Sequence, residues 1–258
     1  MSEDQKRAVI TGAGAGLGRE LAMGFAARGV AVALVDRDAA GIEATRLGLP
    51  ASARSLSIAQ DLTADGAAEA VIGRIEAEWG GLDVLVNNAG FGAIEPFFEM
   101  SAALWQKTLA INVTALAMMT KVAALVLKRQ GGGRIVNITS PGSRMALPNY
   151  AAYAASKAGV DSITRSSAIA LAPFGITVNS VAPGMMDTEM QRSTERDLAR
   201  AEGREDFDAF IAERTRRAPL GRRARIDEVA ATVLWLALDA PDYITAERLN
   251  ASGGMDRD

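Results

Sequence analysis

Short runs of β-branched residues alternate along this chain with longer stretches rich in Ala and Leu. Strands regularly followed by helices return to the sheet in parallel, so the rhythm predicts an α/β fold with helices on both faces of a parallel sheet. Seven strands read at Arg7–Thr11, Ala31–Asp36, 54–60, Val84–Asn87, 134–139, 177–181 and Arg248–Ala251. Several, such as Ala8-Val9-Ile10 and Val84-Leu85-Val86, are apolar at consecutive positions, as strands buried on both faces are. Helices read at about 19–27 and at 66–79, 101–129, 153–172 and 227–238. Within 66–79, Ala67, Val71, Ile75 and Trp79 recur every four residues and make one core-facing stripe. The segment 185–219 breaks the rhythm: it is charged, Arg-rich and helical in tendency, and it lies between the last two strands. No linker, repeat or low-complexity tract divides the chain, so one domain over 1–258 is expected, with 185–219 as a helical flap.

Two residue types are missing. Without Cys there are no disulfides, no thiolate nucleophile and no sulfur-ligated metal. Without His there is no Ser-His-Asp triad and no His-ligated zinc, and no metal site is expected. Acid–base chemistry near neutral pH is left to carboxylates, Lys or Tyr with shifted pKa values. The formal net charge of -3 gives no electrostatic reason to expect nucleic acid as a partner. No stretch reads as a membrane span, and the polar start MSEDQKR is unlike a signal peptide, so a cytoplasmic protein without a membrane partner is expected.

The first strand runs into Thr11-Gly12-Ala13-Gly14-Ala15-Gly16-Leu17-Gly18 and then a helix. Glycines at such a junction let the backbone turn tightly and approach a pyrophosphate, which the N–H groups and dipole of the helix stabilise. Asp36 ends the second strand, eighteen residues after Gly18, where an acid can accept both ribose hydroxyls of an adenosine. Gly12, Gly16 and Gly18 stand in a Gly-x-x-x-Gly-x-Gly spacing. Here the chain resembles the short-chain dehydrogenase/reductase family, whose Thr-Gly-x-x-x-Gly-x-Gly pattern it carries in full. The resemblance continues at Asn87-Asn88-Ala89-Gly90, at Tyr153-x-x-x-Lys157 and at Pro183-Gly184 followed by Thr188, and covers nearly the whole chain. It implies a single doubly wound, Rossmann-like domain with a seven-stranded parallel sheet.

Tyr153 and Lys157 lie four apart at the start of a helix and share one face. A phenol titrates near ~10 in water, and bringing it to neutral pH takes about 4 kcal/mol of differential stabilisation, which a close ammonium in a partly dry cleft can provide. By themselves the two could equally be a packing tyrosine and a solvated lysine. Ser140 closes a strand thirteen residues before Tyr153, where open α/β sheets bind ligands; Thr139 and Ser143 are its alternatives. The resemblance implies a catalytic set of Asn112, Ser140, Tyr153 and Lys157. In it, Tyr153 is the acid or base for hydride transfer at a carbinol or carbonyl carbon, and Ser140 holds the substrate oxygen. Asn112 interrupts its helix and anchors a water leading to Lys157, which also bonds the nicotinamide ribose. It implies cofactor contacts at Gly12, Gly16, Leu17, Gly18, Asp36, Asp61, Leu62, Asn88, Ala89 and Gly90. Others fall at Pro183, Gly184, Met186 and Thr188, with Thr188 on the carboxamide. Asp61-Leu62-Thr63 could also cap the helix that follows.

NAD is expected rather than NADP, because the Asp36 carboxylate repels a 2′-phosphate. Arg37 could pair with that phosphate, or instead cover the adenine or pair with Asp38. Loops 91–95 and 141–150 and the flap should wall the substrate cleft. They offer Phe91, Ile94, Met145, Leu147, Met185 and Met186, with Arg144 and Asn149 as polar candidates. The flap resembles that of diol, acetoin and polyol dehydrogenases, which implies a small hydroxy compound as substrate. An NADPH-dependent β-ketoacyl-carrier-protein reductase shares every motif, its acidic carrier docking on the flap arginines; a non-catalytic nucleotide sensor is a third reading. Leu116, Met118, Met119, Val122 and Leu125 put apolar residues on more than one helix face, so a homo-oligomer, by resemblance a tetramer, is expected unless the flap covers them.

Overall fold

In the computed structural model, which describes residues 5–256, the β-branched runs pair into one parallel sheet. The strands are β1 (Arg7–Thr11), β2 (Ala31–Asp36), β3 (Ser55–Ala59), β4 (Val84–Asn87), β5 (Gly133–Ile138), β6 (Ile176–Pro183) and β7 (Arg248–Ala251). Their order is β3-β2-β1-β4-β5-β6-β7. The chain reverses direction across the sheet between β1 and β4, and the strand C-termini there leave the crevice in which such sheets bind ligands. β6 reaches Pro183, beyond the expected 177–181, because β7 pairs with its second half from Ser180↔Arg248 to Pro183↔Ala251. β3, an edge strand, shows the alternation of one covered face: Leu56 and Ile58 pack inward while Ser57 is exposed.

The helices are α1 (Gly16–Ala27), α2 (Ala39–Gly48), α3 (Ala67–Trp79), α4 (Ala102–Leu109), α5 (Leu116–Gln130) and α6 (Ala151–Leu171). After β6 come α7 (Glu189–Ala201), α8 (Phe207–Arg216) and α9 (Ile226–Leu234). On one sheet face, Leu21 and Phe25 of α1 and Val233 and Leu234 of α9 pack on Ile10, Leu34 and Val86. Gly24 lets α1 and α9 touch, since a Cβ there would lie 2.5 Å from Leu234 Cδ1. On the other face, Val71 and Ile75 of α3 and Met119 and Leu127 of α5 pack on Val9, Leu85 and Ile135.

Two helical features depart from the sequence reading. α2 was not anticipated: it buries only Ile42 and Thr45, so its apolar stripe is too thin to read. The expected helix 101–129 is two helices joined by a π-helical turn, Ala110–Ala115, that holds the buried Asn112. Taken as one run, Ala102–Gln130 has the length and hydropathy of a membrane span. It is a core element here, carrying one end of a polar ladder across the sheet. Asn87 Nδ2 donates to Thr120 Oγ1 at 3.0 Å and to Asn137 Oδ1 at 2.9 Å, and Asn137 Nδ2 donates to Thr164 Oγ1 of α6 at 2.9 Å.

Candidate active site

The glycine loop is shaped from two sides. Thr11 Oγ1 accepts the N–H groups of Asn88 and Ala89, both at 3.0 Å, while Asn88 Nδ2 donates to the carbonyls of Thr11 at 2.9 Å and Gly12 at 3.1 Å. The ends of β1 and β4 are thereby stapled so closely that a Cβ on Gly12 would lie 2.9 Å from Ala89 Cα. From outside, Arg19 Nη2 donates to the Gly14 carbonyl at 2.6 Å and Arg19 Nε to Thr45 Oγ1 at 3.1 Å. α1 starts at Gly16, inside the motif and earlier than the expected 19, and Ala15 offers no side-chain cap. Its first N–H donors are therefore uncapped where Gly16 and Leu17 line the cleft, an arrangement that fits a pyrophosphate.

At the adenosine end of that loop, Asp36 lines the cleft and accepts the Gly14 N–H and the Asp38 N–H, each at 3.0 Å. Arg37 is exposed and forms no ion pair with Asp38 among the described residues. Asp61 accepts the Thr63 hydroxyl at 2.7 Å and its N–H at 2.9 Å. Those bonds, with the charge of Arg37, hold its carboxyl below the usual range. This turn does not cap α3, which begins after Gly66. Leu62, Asn88, Ala89 and Gly90 line the same cleft.

The floor lies at the ends of β5 and α6. Of the three candidate hydroxyls, Thr139 donates to the Lys157 carbonyl at 3.2 Å and Ser143 to Asp161 at 2.5 Å. Both hydroxyls are engaged by protein partners, and Ser140 is left beside the Tyr153 phenol, its Oγ accepting the Gly142 N–H at 3.1 Å. Burial pushes that phenol up, and the Ser140 hydroxyl opposes the push. Lys157 is 5% exposed, with Nζ donating to the Ile138 carbonyl at 2.9 Å and 5.7 Å from the Tyr153 ring centre. Burial brings its ammonium down to about 8, against the pull of Asp161. One of its three donors is used by Ile138.

Asn112 holds this floor in place. Its Oδ1 accepts the Phe91 N–H at 2.7 Å, and its Nδ2 donates to the Phe91 carbonyl at 2.7 Å and to Ser156 Oγ at 2.9 Å. Tyr150, which sequence reasoning passed over, stacks on Tyr153 with ring centres 4.2 Å apart and planes at 11°. The signal was available: the two tyrosines are three apart at a helix start, hence neighbours. Gly92 makes room for the pair, since a Cβ there would lie 2.0 Å from the Tyr150 hydroxyl oxygen and 2.8 Å from Tyr153 Cδ2.

The cleft has a volume of about 640 Å³, within the range of roughly 300–1,000 Å³ typical of small-molecule and cofactor sites. Phe91, Ile94, Met145, Leu147, Met185 and Met186 all line it, as does Asn149; Arg144 does not. Pro183, Gly184 and Thr188 border it too, with Thr188 Oγ1 capping α7 by accepting the Gln191 N–H at 3.2 Å. The flap arginines on the outside are met by the flap's own acids: Arg192 by Asp187, Arg196 by Glu189, Arg200 by Asp197 and Arg204 by Glu213.

A doubly wound parallel sheet with a glycine cradle and a Ser-Tyr-Lys floor defines an oxidoreductase built around a nicotinamide dinucleotide. The chain belongs to the short-chain dehydrogenase/reductase family, enzymes that act on CH–OH groups. A family profile described as enoyl-(acyl carrier protein) reductase matches residues 12–256. The chain is 35% identical over 251 residues to cis-4-hydroxycyclohexanecarboxylate dehydrogenase of Sinomonas cyclohexanicum, covering 97% of this chain and 96% of that one. It is 33% identical over 255 residues to 3-oxoacyl-(acyl-carrier-protein) reductase of Escherichia coli, covering 99% of each. Other relatives of similar length are dehydrogenases named for galactitol, sorbitol and D-threitol. Among solved structures, a variant of actinorhodin polyketide ketoreductase with NADPH superposes with a TM-score of 0.94 at 32% identity, covering 99% of this chain and 98% of that one.

Proposed function

We propose that the protein is an NAD-dependent dehydrogenase of secondary alcohols, acting reversibly on a diol, polyol or similar small hydroxy compound. The observation that carries this reading is the meeting of Ser140, Tyr153 and Lys157 at one end of a cleft whose other end is the uncapped start of α1. When bound, the nicotinamide accepts or supplies the hydride. Tyr153 takes the proton from the substrate oxygen in oxidation and returns it in reduction, and the Ser140 hydroxyl holds that oxygen. Lys157 favours the phenolate electrostatically, and its two remaining donors suit the hydroxyls of a ribose. Asn112 acts by position, fixing the backbone at Phe91 and the start of α6 through Ser156. Gly12, Gly16, Leu17 and Gly18 seat the pyrophosphate, and Asp61, Leu62, Asn88, Ala89 and Gly90 enclose the adenosine half. Pro183, Gly184, Met186 and Thr188 receive the nicotinamide end.

Asp36 supports NAD over NADP: its carboxylate already orders Gly14 and still offers lone pairs to ribose hydroxyls, while a phosphate there would meet a like charge. Steady-state kinetics should give a higher kcat/KM with NAD, and Asp36→Ala should narrow the preference by about tenfold or more, since like-charge juxtaposition costs several kcal/mol. A wild-type preference for NADP would contradict the assignment. The alternative of an acyl-carrier reductase loses support from the flap, where Arg192, Arg196, Arg200 and Arg204 are paired with the flap's own acids and so offer a carrier less unpaired positive charge. The test of the function is turnover with NAD+ across secondary alcohols, diols, polyols, hydroxyacyl thioesters and hydroxy acids such as 4-hydroxycyclohexanecarboxylate.

We further propose a cytoplasmic homotetramer. Met118 and Leu125, seven apart on α5, and Ile169 on α6 are 40%, 52% and 72% exposed, so the flap does not cover this apolar face. A second copy with the same patch buries it in a symmetric interface. Sedimentation at micromolar concentration should give four chains; a monomer would overturn the proposal.

A further inference from the structure

Behind the cleft, Glu195 of α7 is 1% exposed and faces two guanidinium groups. Arg223 Nη2 contacts both of its oxygens at 2.8 Å, and Gln191 Nε2 donates to Oε1 at 3.0 Å. Those contacts satisfy the carboxylate. Arg214 of α8 reaches the same Oε1 only through Nε, at a long 3.4 Å. Its Nη1 and Nη2 have no hydrogen-bond partner among the described residues, and its side chain is 18% exposed. The guanidinium lies 5.6 Å from the Phe210 ring centre, close enough to Tyr150 for its charge to pull down the phenol that burial pushes up. Arg214 lines the cleft, as do Tyr150 and Tyr153. One carboxylate against two cations leaves a positive charge at the cleft wall, with a planar pair of donors unused.

Other charges facing the cleft do not cancel it. Glu189 is held by Arg196 at 2.7 Å, and Glu202 is exposed, where water and salt screen it. Arg217, half-exposed and 3.6 Å from Glu213, adds a second cation to the same side. Ile94, Leu147, Met190 and Leu198 also line the cleft and suit a hydrocarbon body. A guanidinium fork matches a carboxylate in geometry as well as charge, and the two charge-assisted hydrogen bonds it makes are stronger than neutral ones.

We propose that Arg214 receives a carboxylate on the substrate, so that the enzyme's hydroxy compound is a hydroxy acid. Its carbinol lies at Ser140 and Tyr153, and its carboxylate lies past the Tyr150 ring against the unused edge of Arg214. The inference rests on the dehydrogenase reading above and narrows its substrate to an anion.

The test compares kcat/KM with NAD+ for the hydroxy acids of the panel and for their methyl esters, in the wild type and in Arg214→Gln and Arg214→Lys. The wild type should favour the best acid over its ester by about 10- to 100-fold, the scale of discrimination when buried polar groups are left unpaired. Arg214→Gln should raise KM for the acid at least tenfold more than for the ester, and Arg214→Lys, which keeps the charge without the fork, should lose less. NADH binding checks that both variants are folded. Equal use of acid and ester by the wild type overturns the proposal, as does an equal loss on both in Arg214→Gln. In either case turnover of the esters or other neutral alcohols leaves the dehydrogenase reading standing. Failure of every alcohol in the panel removes both.

Discussion

Tyr153→Phe is expected to slow turnover by about 10²- to 10⁴-fold, the usual cost of losing positioned acid–base help. The change removes one oxygen and leaves the ring stacked on Tyr150 over Gly92, so the cleft keeps its shape. Lys157 keeps its bond to the Ile138 carbonyl and its remaining donors, so NADH affinity should change little. Steady-state rates alongside fluorescence titration of NADH separate the two effects; near-normal kcat would contradict the role given to the phenol. The same group sets a pH trend. Burial raises the Tyr153 phenol, and oxidation needs the phenolate, so alcohol oxidation should accelerate as pH rises while ketone reduction, which needs the phenol, slows.

Gly18→Ala should be nearly as damaging, but through the cofactor. A Cβ at this position would lie 2.0 Å from the Gly12 carbonyl oxygen and 2.7 Å from Asn88 Nδ2. Neither can retreat cheaply: Gly12 is held by Asn88, and Asn88 ties the loop to the end of β1. The loop must open by the width of a methyl group, an overpacking that costs about 1–3 kcal/mol, and NADH affinity should fall about 10- to 100-fold. Gly73→Ala is the internal control. Gly73 is exposed on α3 with nothing within 4 Å of a Cβ, so NADH affinity should be unchanged and stability should rise by about 0.5–1 kcal/mol. Equal binding by both variants would contradict the account of the glycine cradle.

What could be read in the sequence was what is local. The central strands are continuous apolar runs, and the glycines of the Thr11–Gly18 junction fall within eight consecutive residues, so the sheet and the glycine loop were legible. α2 was not, because Gly41 sits inside it and only Ile42 and Thr45 are buried. Gly41 is needed there: a Cβ would lie 3.0 Å from the Gly14 carbonyl oxygen. The same limit applies to the site. Ser140, Tyr153 and Lys157 fall within one strand–helix unit and at helical spacing, which a linear reading can align. Arg19 bonds Thr45, twenty-six residues on, and Arg214 contacts Glu195, nineteen residues back. Both contacts come from packing that brings separate helices together, and no periodicity announces them. Asp61 shows the converse: the alternative reading of Asp61-Leu62-Thr63 as a helix cap gives way to a turn on Thr63, because α3 starts too far downstream to be capped.

Ser140, Tyr153 and Lys157 are proposed to drive NAD-linked oxidation of a secondary alcohol. The direct measurement is reduced-nicotinamide formation by the wild type with NAD+ and with NADP+ over the alcohol panel, with Tyr153→Phe in parallel. The expected result is NADH from at least one secondary hydroxy compound, a higher kcat/KM with NAD+ than with NADP+, and near loss of the signal in Tyr153→Phe. No reduced nicotinamide from any alcohol with either cofactor, or equal rates in the wild type and the variant, would contradict it.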